Sequence, residues 1–272
     1  MKIIKTFLAR FAAACLCEAT GKGNWEERQE QSRANQRLFD AADEGNLAEV
    51  SRLLDDGANP NAAKNDGRTA LYFAAFKGPT EVVKILLSAG ANPNATDGFY
   101  GWTVLMRAAV DGNPEVAKML LSAGANPNPA EMNGYTALTL AANNGHAEFV
   151  KILLSAGANL NAADYDGKTA LMNAAKSGHV EVVEILLAAG ANPNTAGEYG
   201  VMALYWAAYH GHAEIVKILL SAGANPNSAV KGGNLSGYTA LYSANNRWSK
   251  AETQEKAYRE IVRLLKEAGA KE

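Results

Sequence analysis

Gly178-His179-Val180-Glu181-Val182-Val183-Glu184-Ile185-Leu186-Leu187, followed by Gly190-Ala191-Asn192-Pro193-Asn194, decides how this chain folds. Val182, Val183, Leu186 and Leu187 share one face at helical spacing. The stretch therefore reads as an amphipathic helix between glycines that accept the left-handed conformation of a helix end. Just upstream, Gly167-Lys168-Thr169-Ala170-Leu171 opens a shorter helix whose Leu171, Ala174 and Ala175 lie on one side, where small side chains let a neighbouring helix come close. Asn192-Pro193-Asn194 leads into a turn. Two helices of about ten residues expose more apolar surface than they cover, so the unit requires neighbours of its own kind.

The chain supplies them. Gly-Ala-Asn recurs at Gly57, Gly90, Gly124, Gly157, Gly190 and Gly223, spaced by 33, 34, 33, 33 and 33 residues. A second landmark, the leucine of a Thr-Ala-Leu type tripeptide, falls at Leu71, Leu105, Leu138, Leu171, Leu204 and Leu241, and only its last step, of 37 residues, departs from that period. Seven units result, over about 35–63, 64–96, 97–130, 131–163, 164–196, 197–230 and 231–272. The first is charged where the inner copies are apolar, as an N-terminal cap should be. The last is irregular, with extra residues around Lys231-Gly232-Gly233-Asn234 and from Arg247 to Tyr258, and ends in a helix with a charged outer face.

The common pattern, Gly-x-Thr-Ala-Leu-x-x-Ala-Ala-x-x-Gly-His-x-Glu-Val-Val-x-x-Leu-Leu-x-x-Gly-Ala-Asn-Pro-Asn, resembles the ankyrin repeat family over about residues 37 to 270. The resemblance implies an all-α repeat solenoid of stacked antiparallel helix pairs with protruding β-hairpin loops, and a role in binding another protein. Two departures stand out. The family's Thr-Pro-Leu-His has alanine or valine for proline (Ala70, Val104, Ala137, Ala170, Ala203, Ala240), and Tyr72, Met106, Thr139, Met172, Tyr205 and Tyr242 replace its histidine. Loss of the usual histidine-to-threonine hydrogen bond is expected to loosen the unit locally without changing the fold.

Composition agrees with a globular chain: 48% of residues are hydrophobic and the net charge is −2. The 26 basic residues are matched by 28 acidic ones, which argues against a general affinity for nucleic acid. Cys15 and Cys17 are the only cysteines, so everything downstream holds together by packing. No apolar run is long enough to cross a bilayer. Residues 1–20 read two ways. Met1 to Ala19 resembles a signal for export or lipid anchoring, while Arg10 and the helical spacing of Ile4, Phe7, Phe11 and Cys15 favour an amphipathic helix on a cytoplasmic chain. Residues 21–34 are polar, as in a linker or the start of a capping helix.

Catalytic chemistry finds little footing. His146, His179 and His212 occupy one repeat position, so they lie about 10 Å apart and serve structure. No phosphate loop, nucleophile elbow or His-Glu-x-x-His motif is present. The chain is expected to be no enzyme, to need no cofactor or metal, and to be a monomer. A structural spacer or self-assembling scaffold is the alternative to protein binding, with a small-ligand receptor further off.

If shared positions build the frame, function resides where copies differ. These positions fall in the loops and at the end of each first helix. They give Phe76, Phe99, Tyr100, Trp102, Arg107, Met132, Tyr135, Tyr165, Lys168, Tyr199, Trp206, Tyr209 and His210 as the candidate partner-binding set, on the expected concave side. The aromatic members are expected to be exposed rather than needed for stacking, and such residues dominate binding hot spots.

Overall fold

Threonine starts most of the first helices. The hydroxyls of Thr69, Thr103, Thr136 and Thr169 accept hydrogen bonds from the backbone N–H of Tyr72, Met106, Thr139 and Met172, satisfying a donor that the helix leaves unpaired. Thr139, one of the residues standing where the family has histidine, also closes a reciprocal capping box with Thr136. The threonine thus remains engaged without the histidine. Met202 at the equivalent position of the sixth unit makes no such bond.

The computed structural model describes residues 23–76, 78–232, 236–246 and 252–271. Its helices pair as α1 Gly23–Asp43 with α2 Leu47–Asp55, α3 Ala70–Ala74 with α4 Thr80–Ser88, and α5 Val104–Asp111 with α6 Pro114–Ser122. There follow α7 Ala137–Asn144 with α8 Ala147–Ser155, α9 Ala170–Ser177 with α10 Val180–Ala188, α11 Ala203–His210 with α12 Ala213–Ser221, and α13 Ala240–Asn246 with α14 Glu252–Glu267. First helices pack on first helices and second on second, as a stack of antiparallel pairs. One core runs through the stack, with Leu71, Leu105, Leu138 and Leu171 in one layer and Leu86, Leu120, Leu153 and Leu186 in the other. The protruding loops are hairpins reduced to single antiparallel bridges, Ala63 to Thr69, Thr96 to Thr103, Ala163 to Thr169 and Ala229 to Thr239.

Of the two readings of the polar stretch, the described residues match the capping helix and not the linker: from Gly23 onward they belong to α1. That helix does the work of a preceding unit. Gln31 Nε2 donates to the Gly57 carbonyl at 3.3 Å, and Asn35 Oδ1 accepts the Asn59 N–H at 3.0 Å. The alternative expectations for residues 1–20 lie outside the described residues.

Asparagines of the Gly-Ala-Asn-Pro-Asn turns carry the same pair of bonds from unit to unit. The amides of Asn61, Asn94, Asn128, Asn194 and Asn227 each donate to the turn glycine's carbonyl in the next unit. Each also accepts the backbone N–H two residues beyond that glycine, at 2.6–2.8 Å. One rung is absent among the described residues. Asn161 bonds neither Gly190 nor Asn192, and its turn is the one with Leu160 where the others have proline. Ala191 in the facing turn is correspondingly half-buried, whereas Ala58, Ala91, Ala125, Ala158 and Ala224 are buried.

A second fastening is the histidine. Nε2 of His146, His179 and His212 lies 3.0–3.1 Å from the carbonyl oxygen of Val110, Asn143 and Lys176 in the unit before. Each ring fills the space that a side chain on the preceding helix-ending glycine would need: a Cβ on Gly112, which sits at φ +84°, would come within 2.2 Å of the His146 ring. In the irregular last unit Tyr258 takes this role, its hydroxyl donating to the Tyr209 carbonyl at 3.0 Å over Gly211.

Leu160→Pro should raise stability by about 0.4–1 kcal/mol, because the other turns tolerate proline at that place and a fixed φ reduces the freedom of the unfolded chain. Calorimetry showing a loss instead would mean that this turn differs from its copies. Leu153, fully buried, should cost about 2–5 kcal/mol when cut to alanine; a loss below about 1 kcal/mol would contradict its place in the core.

Candidate partner-binding face

Buried carboxylates shape the hairpin tips. Asp97 Oδ1 accepts the N–H of Tyr100 at 2.9 Å and of Trp102 at 3.0 Å. Glu131 Oε1 does the same for Asn133 and Tyr135, and Asp164 Oδ1 for Lys168. Burying a carboxylate is costly unless it is well hydrogen-bonded; backbone donors offset that cost at Asp97 and Glu131 while fixing the turn, whereas Asp164 keeps its Oδ2 buried without a partner. Consecutive tips are joined by the backbone: Gly98 N–H to Asp66, Met132 to Tyr100, Tyr165 to Asn133, Glu198 to Asp166 and Lys231 to Tyr199. The tips therefore form one continuous edge along the stack.

That edge presents large side chains outward. Tyr165 is 79% and Phe99 70% exposed, and Tyr100, Met132 and Tyr199 are also exposed. Tyr199 adopts a left-handed backbone (φ 57°), rare for a bulky residue, and its ring lies against Gly232, where a Cβ would come within 2.7 Å.

The remaining candidates lie deeper, contrary to expectation for the aromatic ones, except His210, which is exposed. Trp102, Tyr135 and Trp206 are half-buried and pack against the core; Phe76 and Tyr209 are half-buried as well. Burial pushes the Tyr135 phenol up, helped by the Asp164 charge. At two seams the seventh position counted from the start of one first helix meets the fourth of the next, each time as a cation on a ring. The Arg107 guanidinium sits 3.6 Å from the Phe76 ring centre, and the Lys176 ammonium lies 5.3 Å from that of Trp206. Lys168, ion-paired with Asp166, lies 5.9 Å from the Trp206 ring centre. Trp206 also meets Tyr205, Tyr209 and His210, whose ring stacks in turn on His212. The structure thus divides the set into an exposed edge and a cluster of rings and cations on the first helices.

At the N-terminal end of this face lies a cavity of about 610 Å³, between α1 and the first two loops. Its lining includes Arg28, Gln36, Phe39, Lys64, Asp66 and Phe99. Only Phe99 was among the candidates. The others were legible in principle: Lys64 holds the register filled by Asp97, Glu131 and Asp164 in the next three units, a reversal of charge within a repeated pattern. Among the described residues no group of histidine, cysteine and carboxylate side chains is arranged to hold a metal ion, and no helix is long and apolar enough to cross a membrane.

A stack of helix pairs with bridge-closed loops defines a helical repeat solenoid. Comparison with known proteins specifies it further. The family described as ankyrin repeats (3 copies) matches residues 38–131 and 105–197, and the single ankyrin repeat matches 199–231. This chain belongs to the ankyrin repeat family. The crystal structure of the human ASB11 ankyrin repeat domain is similar, with a TM-score of 0.72 and 26% identity over 82% of this chain and 96% of that one. No curated protein sequence matches.

His210 offers a local check on the ring cluster. Burial lowers its pKa below 6.5, and the neighbouring His212 and Lys176 charges act in the same direction. The folded state therefore holds this proton less tightly than the unfolded state. Any stability tied to neutral His210 is complete above about pH 6.5 and fades as pH falls. An NMR titration should give a midpoint below 6.5 that rises in Lys176→Gln; a midpoint at or above that value would show the ring to be solvated.

Proposed function

We propose that this array binds a partner protein along the continuous edge of hairpin tips and the first-helix surface beneath it. Ankyrin repeats are generally protein–protein interaction modules, which gives the broad class. The observation that supports this face is the location of exposed apolar surface. Of eight large hydrophobic residues exposed among the described ones, five (Phe99, Tyr100, Met132, Tyr165 and Tyr199) stand on consecutive tips. Scattered exposed hydrophobics are ordinary, but a row of them fixed in place by backbone bonds offers contact area at low entropic cost. Half-buried Trp102 and Tyr135 serve the frame, and Arg107, Trp206, Tyr209 and His210 form the polar-aromatic floor.

The combined change Phe99→Ala, Tyr100→Ala and Tyr165→Ala should weaken binding of a partner recovered by crosslinking from the native cell by about a hundredfold, typical of losing clustered hot spots. Its melting temperature should stay within a few degrees of the parent. Unaltered binding would remove the tips from the interface.

A further inference from the structure

The cavity at the N-terminal end of the stack is distinguished by its charge. In the third, fourth and fifth units the residue at the first hairpin register is a buried acid that folds back onto its own loop, as Asp97, Glu131 and Asp164 do. Lys64 stands there in the second unit and has no lone pair to offer those N–H groups. Its ammonium instead lies over two rings, 4.5 Å from the Phe73 centre and 5.5 Å from that of Phe39, and joins no ion pair among the described residues. Asp66, the one acid of the lining, is held by Arg68 at 2.5 Å. Arg28 adds a second cation on the α1 side. At about 610 Å³ the cavity has the size of a site for a few side chains, with Phe39 at its floor and exposed Phe99 at its lip.

We infer that this cavity seats an acidic segment of the partner protein, a carboxylate side chain meeting Lys64 and an adjoining apolar side chain resting on Phe99. Charge complementarity selects the occupant. A basic segment would meet an ammonium and an acid already paired, whereas a carboxylate would meet an ammonium that rests on two aromatic faces and joins no ion pair among the described residues, the nearby Asp66 being held by Arg68. This inference rests on the protein-binding reading above and adds the chemistry of what is bound.

The test uses the full chain and short random peptides displayed on phage. Selected peptides should be enriched in aspartate or glutamate next to an apolar residue. Synthetic copies should bind at least about tenfold more weakly to Lys64→Glu and measurably more weakly to Phe99→Ala, while Lys64→Arg leaves Kd nearly unchanged. Lys64→Gln gives the same reading, with a smaller loss, should the charge reversal fail to fold. Peptides without acidic enrichment, or equal affinity for Lys64→Glu, would overturn the assignment. If such peptides instead lost binding in the Phe99, Tyr100 and Tyr165 triple variant, the protein-binding face would stand and only the acidic cavity would fall. Selected sequences matching the chain's own residues 1–22, or retention of the chain on an immobilised copy of itself that Lys64→Glu abolishes, would give the cavity to this protein and exclude the acidic partner.

Discussion

No helix pair in this chain covers its own apolar surface, so every unit depends on its neighbours. Leucines and alanines supply the attraction across each seam, but they are non-directional. Register is set by polar bonds around them: an asparagine reaching into the next turn, a histidine on the glycine of the unit before, and one backbone bond between loops. The ends use other residues for the same tasks. Gln31 and Asn35 stand in for a turn that α1 does not have, and Tyr258 stands in for histidine.

This division frees other positions. Because the seams are held by turns, glycines, loop backbones and the buried alanines, the fourth and seventh positions of the first helices and the loop tips carry a more local burden. Arg107 on Phe76 and Lys176 on Trp206 show the latitude: one seam contact is met with the cation on the later unit in the first case and on the earlier unit in the second. A surface assembled this way can change chemically from unit to unit over an unchanged frame.

The fold was readable because its signal is periodic. Paired leucines, alanines and Gly-Ala-Asn turns repeat often enough to fix helix positions without knowledge of any contact, and the threonine caps and buried leucines lie where that period puts them. The candidate site was readable only in part. Loop residues such as Phe99 and Tyr165 are exposed as their variation implies, but Trp102 and Tyr135 lean onto the core, since a half-turn of hairpin decides orientation and periodicity does not record it. Contacts between units were hidden for another reason. An asparagine's local turn role explains its presence, so its second role in the next unit leaves no separate mark. Lys64 was overlooked because its significance lies in what its copies are rather than in what it is. The polar N-terminal stretch read either as a linker or as the start of a capping helix, because the bonds that decide between them reach Gly57 and Asn59, some 25 residues away.

Leu160 has a consequence for the array as a whole. In a stack where each unit touches only its neighbours, cooperativity passes through the seams one at a time and is limited by the weakest. The seam without its asparagine rung divides four units from three, and it falls between Met132 and Tyr165 on the row of tips. At that seam the remaining fastenings act without the asparagine: the His179 ring on the Asn143 carbonyl and the Tyr165 N–H on Asn133 hold the two units in register.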